Sequence, residues 1–416
     1  MHRPVIWPAV SGFSDHSLPD LLRAALDGSG PALLAQPVPP SDALAASATA
    51  PAGVPEDVAL IVGTSGSTGL PRRVMLTAAA LRASAAASAE RLGGQGSWLL
   101  ALPTTHVAGM QVVVRSVLAG TTPTLLEGPF RAAAFVEAVG RMPARTAAPG
   151  GGRFTSLVPT QLHRLLEPGP DAPAALEALR SFDAILVGGA ALAPELAARA
   201  AAAGVRVVTT YGMSETCGGC VYDGIPLTGV RIRTSAEGHV LVSGRVLSIG
   251  YLDDDIADAQ SYTTIHGGRW LRTRDLGTLE LSEDTSFLTL TVHGRSDDVI
   301  VTGGEKVVAG AVEAALAGWR GLGEVAVVGV PDDEWGTAVV AVATLAPGAA
   351  APTLDEVRAH VRATVAPPAA PRALEIVDAV PTLGIGKPDR DAVRDLVVGR
   401  RPGTVTPLPT QDLGDA

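Results

Sequence analysis

Short apolar runs alternate with longer amphipathic stretches through the first half of the chain. Val58–Val62, Trp98–Leu102, Pro123–Leu126, Phe154–Val158, Ala184–Val187 and Val205–Thr209 are brief and largely apolar. Runs of that length predict buried strands. Between them, Thr77–Leu92, Val107–Ala119, Arg131–Val139, Thr160–Leu166 and Pro194–Ala203 predict helices. Thr77 and Thr160 are placed as N-caps, and Pro194 as a first-turn proline. Such alternation predicts an α/β fold with a largely parallel, doubly wound sheet. Ligands of such sheets sit beyond the carboxyl ends of the strands.

The pattern then changes twice. Residues 211–293 are strand-rich, with turn signals at Glu237-Gly238 and His266-Gly267-Gly268, and predict a small β-subdomain. From Gly294 a compact α+β unit is predicted, with strands at Val299–Thr302, Glu324–Val330, Ala338–Leu345 and Ala373–Val377. Its helices are expected at Ala309–Leu316 and Leu354–Thr364. The expected organisation is a large N-terminal domain, 1–293, and a small C-terminal domain, 294–400. Residues 401–416 carry three prolines and little apolar content, and predict a disordered tail. Residues 1–57 are rich in Pro and Ala, with one helix expected at Ser17–Leu26 and an irregular cover at Gln36–Gly53.

Composition narrows the class. The chain has 416 residues, 47% of them apolar, enough for two or three domains with sizeable cores. A net charge of -10 argues against nucleic acid and against an anionic membrane surface. The uncharged run Leu92–Val114 is broken by glycines, Pro103, His106 and Gln111, so it predicts strand, loop and helix rather than a membrane span. Two cysteines give no disulfide framework, and no signal-peptide pattern opens the sequence. The expected location is the cytoplasm. Lys306 and Lys387 are the only lysines among 32 basic residues. Where arginine serves nearly everywhere else, a retained lysine suggests a need for a compact, flexible ammonium.

Five stretches carry candidate chemistry. In Thr64-Ser65-Gly66-Ser67-Thr68-Gly69, glycines and hydroxyls follow a predicted strand. They offer backbone N–H groups and side-chain oxygens to a polyphosphate. No lysine follows Gly69, so this is not a Walker A loop. In Tyr211-Gly212-Met213-Ser214-Glu215-Thr216, Glu215 is placed to reach Mg²⁺, which takes few protein carboxylates, and Tyr211 offers a flat face to a purine. Gly188-Gly189-Ala190 ends another predicted strand with residues small enough to admit a base. In Thr273-Arg274-Asp275, Asp275 can take two ribose hydroxyls. The remaining two stretches are Gly294–Lys306 and Pro381-Thr382-Leu383-Gly384-Ile385-Gly386-Lys387-Pro388.

In this order and spacing the five stretches resemble the adenylate-forming superfamily of acyl-CoA synthetases, adenylation domains and luciferases, over about residues 55–395. Tyr211–Cys220, with the short N-terminal region, most resembles its actinobacterial o-succinylbenzoate–CoA ligases. The resemblance implies ATP, Mg²⁺, coenzyme A and a small carboxylic acid as cofactor and substrates, with a homodimer left open. It implies two half-reactions, acyl-adenylate formation with release of pyrophosphate, then displacement of AMP by the CoA thiolate.

Carried onto this chain, it implies that Thr64, Ser65, Gly66, Ser67, Thr68 and Gly69 hold the β- and γ-phosphates, with Arg72 beside them. Glu215 would hold Mg²⁺ near Thr68. Gly189, Ala190, Tyr211, Gly212 and Met213 would surround adenine, Thr216 would touch phosphate, and Asp275 and Arg295 would bind ribose. Lys387 would bridge the attacking carboxylate and the α-phosphate. His106 would gate an acyl pocket lined by Gly109, Gln161, Ser214, Gly218 and Gly219. Asp297 would be the hinge that swings Gly303, Gly304 and Lys306 toward CoA. Cys217 and Cys220 are expected to line a pocket rather than form a redox pair or half a zinc site.

Three places depart from the family pattern. Arg72-Arg73 stands for Lys-Gly after the loop. Arg274 stands for a glycine beside the ribose site. The N-terminal layer is short. A ligase for another aryl or acyl acid, a carrier-loading enzyme and a non-catalytic nucleotide-binding module are the alternatives to test.

Overall fold

The computed structural model describes residues 2–6, 18–35, 53–64, 72–144, 151–281, 287–346, 348–383 and 387–400. The chain divides into two compact units between His293 and Gly294.

The first unit holds two mixed sheets. In the larger, Thr124–Leu125, Gly96–Leu100, Gly152–Leu157, Ala184–Val187 and Val207–Met213 lie side by side and parallel. Gly218–Tyr222 and Ile225–Pro226 then extend it antiparallel. Parallel strands are covered on both faces, which explains their unbroken apolar runs. One face packs on helices Ala132–Arg141, Pro159–Leu166, Ala172–Arg180 and Pro194–Ala202. The other packs on Ala78–Leu92 and Val107–Leu118, which share a core with the second sheet.

That second sheet runs Val5–Ile6, Ala32–Ala35, Val58–Thr64, Arg72–Thr77, Gly250–Tyr251. Its first three strands are parallel and the last two join antiparallel. The short N-terminal segment is therefore part of the scaffold. Arg3, buried, clamps it by donating to the carbonyls of Gly30 (2.7 Å), Val58 (2.9 Å), Ala25 (2.7 Å) and Ala24 (3.3 Å). The β-subdomain is antiparallel, in the order Val230–Thr234, His239–Gly244, Gly268–Leu281, Tyr262–Ile265, with Leu288–Arg295 also paired to Gly268–Leu281.

The second unit is built on Leu322–Asp332, Gly336–Leu345 and Ala373–Ile376. Helices Ala309–Leu316 and Leu354–Thr364 cover one face, and Arg390–Arg400 covers the other through Val393 and Val397.

Two local expectations change. A strand, Arg72–Thr77, stands between the glycine-rich loop and the Ala-rich helix. Its Arg-Arg opening hid a half-buried alternation from the apolar-run pattern. Thr160 is not an N-cap; Val158 is, and Pro159 takes the first helical position, where its missing N–H is not needed. Thr77 caps as expected, accepting from Ala80 N–H at 3.0 Å.

Candidate active site

Thr64 and Arg72 are paired at the mouth of an antiparallel hairpin, and Thr64 Oγ1 donates to the Arg72 carbonyl at 3.3 Å. Ser65, Gly66, Ser67, Thr68 and Gly69 lie outside the described residues. The loop's C-terminal foot is anchored. The Arg72 guanidinium lies 5.6 Å from the Tyr251 ring centre, and its Nε is 3.7 Å from Asp254. Tyr251 pairs with Val74, and its hydroxyl donates to Glu215 Oε1 at 2.8 Å. One tyrosine thus joins the foot of the loop to Glu215. The Glu215 carbonyl also accepts from Ser248 N–H at 2.8 Å, which holds the short helical turn Ser214–Thr216.

A second tyrosine does the same for the other acid. Tyr211 donates to Asp275 Oδ2 at 2.7 Å, across 64 residues of sequence. Burial, then the adjacent carboxylate, pushes both phenols well above their ordinary range, so each stays protonated and donating. Asp275 is only 9% exposed, and strand alternation puts Arg274 on the opposite, exposed face. The arginine that departs from the family pattern therefore does not crowd the aspartate. Gly212 admits no side chain, because a Cβ there would fall 2.0 Å from the Gly218 carbonyl. Met213, half-buried, ends its strand beside the Glu215 turn, while Gly189 and Ala190 lie exposed just past Ala184–Val187.

Several expected contacts are corrected. Thr216 is sealed from solvent and its hydroxyl closes the turn, donating to Gly218 O at 2.7 Å and accepting from Met213 N–H at 2.9 Å. It has no free face for phosphate; the partly exposed hydroxyl of this turn is Ser214's. Gln161 does not line an acyl pocket with a free amide. Its Oε1 accepts from Val158 N–H at 3.0 Å and its Nε2 donates to Ala101 O at 3.1 Å. Gly109 is buried, and a Cβ there would meet the Pro103 carbonyl at 2.2 Å, so close helix packing accounts for it. Cys217 and Cys220 are free thiols within the hydrophobic core rather than on a pocket wall. Burial raises both, Cys220 to about 12, which leaves no thiolate for redox chemistry.

His106 opens helix Val107–Leu118, half-buried, with Nδ1 3.0 Å from Thr105 Oγ1. Burial lowers its pKa and keeps the imidazole neutral. One turn on, Gln111 lies under Gly218: a Cβ on Gly218 would sit 3.4 Å from Gln111 Cγ. Gly219, half-buried, follows on the same strand. Sequence reasoning missed Gln111 and Tyr251. Tyrosine scarcity was the available signal for the latter: the chain has four, and Tyr211, Tyr222, Tyr251 and Tyr262 all hydrogen-bond other side chains.

The second unit holds the remaining candidates. Lys387 lies in a short hairpin, its backbone paired with Leu383. Arg390, three residues on, fixes this segment through Asp298 (3.1 Å), Glu313 (3.0 Å) and the Val327 carbonyl (2.8 Å). Lys306 is exposed in the strand Glu305–Val308, which Gly303 and Gly304 join to Val299–Thr302. Arg295 forks onto Asp297 at 2.9 and 2.8 Å, so its guanidinium braces the expected hinge turn rather than standing ready for ribose.

Residues 18–251 match the model of the AMP-binding enzyme family, and residues 311–387 match that of the AMP-binding enzyme C-terminal domain. The chain is 46% identical to a probable 2-succinylbenzoate–CoA ligase of Mycobacterium tuberculosis, over 89% of this chain and 93% of that one. It is 31% identical to the 2-succinylbenzoate–CoA ligase of Enterococcus faecalis, over 69% of this chain and 59% of that one. The o-succinylbenzoate CoA synthetase of Bacillus subtilis in complex with its acyl-adenylate intermediate has a similar fold. Its TM-score is 0.68 at 24% identity, covering 91% of this chain and 81% of that one.

Proposed function

The chain belongs to the AMP-binding enzyme family, and from that premise we propose that it is an ATP-dependent ligase joining 2-succinylbenzoate to coenzyme A through an acyl-adenylate. The observation that carries this reading is the pair of tyrosine-held carboxylates, Asp275 and Glu215, near the carboxyl end of the strand Val207–Met213. That is where an α/β sheet binds nucleotides. The likeness to the mycobacterial ligase over nearly its whole length supports the choice of acid.

Asp275 takes the ribose hydroxyls, steadied by Tyr211. Gly189, Ala190 and Met213 border the base. Thr64 and Arg72 hold the feet of the loop that grips the leaving pyrophosphate. Glu215 suits Mg²⁺: Tyr251 donates to one oxygen and leaves other lone pairs open, and one or two protein carboxylates are what this ion takes beside phosphate oxygens and water. The ion would neutralise phosphate charge. The acid's carboxylate oxygen attacks the α-phosphorus and pyrophosphate departs. The CoA sulfur then attacks the acyl carbon and AMP departs. Lys387 supplies the ammonium that stabilises charge gathering on the α-phosphoryl oxygens. Asp297 is the hinge between the two half-reactions, and Gly303, Gly304 and Lys306 belong to the thioester-forming pose. The buried, unpaired thiols suit a cytoplasmic enzyme.

Pyrophosphate release measured over a panel of carboxylic acids, with thioester followed chromatographically, tests the reading. 2-Succinylbenzoate is expected to exceed other aryl and acyl acids at least tenfold in kcat/KM. A different best acid would move the specificity, and no turnover with any acid would reject the ligase.

A further inference from the structure

The Arg72 guanidinium is held in place without a hydrogen bond. Its side chain is 25% exposed, and among the described residues no acceptor stands within hydrogen-bond distance of its nitrogens. Arg3 and Arg390, also largely buried, donate to four carbonyls and to Glu313 and the Val327 carbonyl respectively. Arg72 is flanked instead. Its guanidinium carbon lies 5.6 Å from the Tyr251 ring centre, and Asp254 Oδ2 approaches its Nε at 3.7 Å.

One short helix, Asp255–Ser261, fixes both flanking residues. Asp254 is its N-cap, with Oδ1 accepting from Ala257 N–H at 2.9 Å. Asp258 accepts from Tyr251 N–H at 2.8 Å. A Cβ on Gly250 would fall 2.5 Å from Asp258 Oδ2, so glycine is what lets the helix come this close to the strand. Tyr251 in turn gives its hydroxyl to Glu215. The ring that supports the cation therefore also carries the bond to the carboxylate proposed to hold Mg²⁺.

An ion pair this long, with its acid 37% exposed, adds little to stability. What it fixes is direction. A lysine, the residue the family pattern has here, is a rotatable point charge, whereas an arginine acts through a planar fork that must be aimed. We infer that Asp254 is a positioning residue: it holds Arg72 at Nε over Tyr251, so that the two terminal nitrogens meet the outer phosphates of ATP. This rests on the ligase reading above for the place of the nucleotide. The Asp254 carboxylate also repels phosphate, so orientation and repulsion have opposite signs, and binding reads which one wins.

The test is calorimetric titration of the full chain with Mg-ATP and with AMP, which lacks the outer phosphates. Arg72→Gln should weaken Mg-ATP at least about tenfold and leave AMP within about twofold. Asp254→Asn keeps the shape and the capping oxygen, so its melting temperature should stay within about 2 °C. It should weaken Mg-ATP about fivefold and AMP less than about twofold. Asp254→Ser, which also caps, should behave alike and replaces it if the asparagine variant fails to fold. In an Arg72→Lys background, Asp254→Asn should change Mg-ATP affinity less than about twofold, because a point charge needs no such aim. Unchanged or tighter Mg-ATP binding in Asp254→Asn overturns the inference. So does an equal loss on ATP and AMP, or the same loss in the lysine background. Each of those results leaves the ligase reading intact. None of these titrations needs an acid, so binding as expected without turnover of any acid would reject the ligase alone. A wild type that binds neither nucleotide rejects both.

Discussion

At the scale of single residues, the site is organised by phenols that hold carboxylates. Tyr251 donates to Glu215 and lies against Arg72 at the foot of the loop, so one hydroxyl couples the acid to the hairpin. A hydrogen bond to a charged group contributes about 1.5–3 kcal/mol. Tyr251→Phe should therefore raise KM for Mg-ATP about tenfold or more at unchanged fold, measured by steady-state kinetics beside a melting curve. An unaltered KM would mean that Glu215 needs no such support. His106 gives a pH prediction. Burial holds its folded pKa below the ordinary value of about 6.5, so below that pH the unfolded chain binds a proton that the folded chain resists. The contribution of the neutral ring is present above about pH 6.5 and is lost as pH falls. Between pH 7 and pH 5 the wild type should lose more melting temperature than His106→Gln does. Parallel curves would show that the ring titrates freely.

At the scale of elements, the short N-terminal segment owes its place in the scaffold to Arg3. One guanidinium serves four carbonyls from a helix end, a turn and the strand that leads into the glycine-rich loop. Arg3→Ala should cost on the order of 3 kcal/mol by leaving those buried carbonyls without a donor. Urea unfolding measures it, and a loss under about 0.5 kcal/mol would mean that water replaces the side chain. The element pattern itself was largely legible in the sequence, because parallel strands covered on both faces must be written as short apolar runs. What escaped was set by partners distant in sequence. Arg72–Thr77 carries charge at its half-buried start and reads as loop until Gly250–Tyr251 pairs with it. Thr216 and Gln161 look like ligand hydroxyl and amide in a motif. Gln161's bond to Ala101 emerges only when strand and helix end meet, whereas Thr216 is the local exception, its hydroxyl closing its own turn onto Gly218 and Met213. Asp275 and Glu215 were legible by motif, but the tyrosines that hold them come from other strands.

At the scale of the whole molecule, each unit has its own core, and the chemistry proposed here is divided between them. The first unit carries the paired strands, Asp275 and Glu215; the second carries Lys387 on a hairpin whose neighbour Arg390 is tied to Asp298 and Glu313. If nucleotide binding belongs to the first unit and transition-state charge stabilisation to Lys387, the two can be separated. Lys387→Ala should bind AMP within a few-fold of the wild type by calorimetry, yet release pyrophosphate at least about a thousandfold more slowly, the range expected for a lost charge-stabilising group. Given preformed acyl-adenylate and CoA, the same variant should make thioester at close to the wild-type rate, because that step needs no cation at the α-phosphate to form the mixed anhydride. A variant equally slow in both assays would tie Lys387 to folding or to binding instead. A variant fast in both would leave the second unit without its proposed part in adenylation, and the search for the cation would return to Arg72 and the loop it anchors.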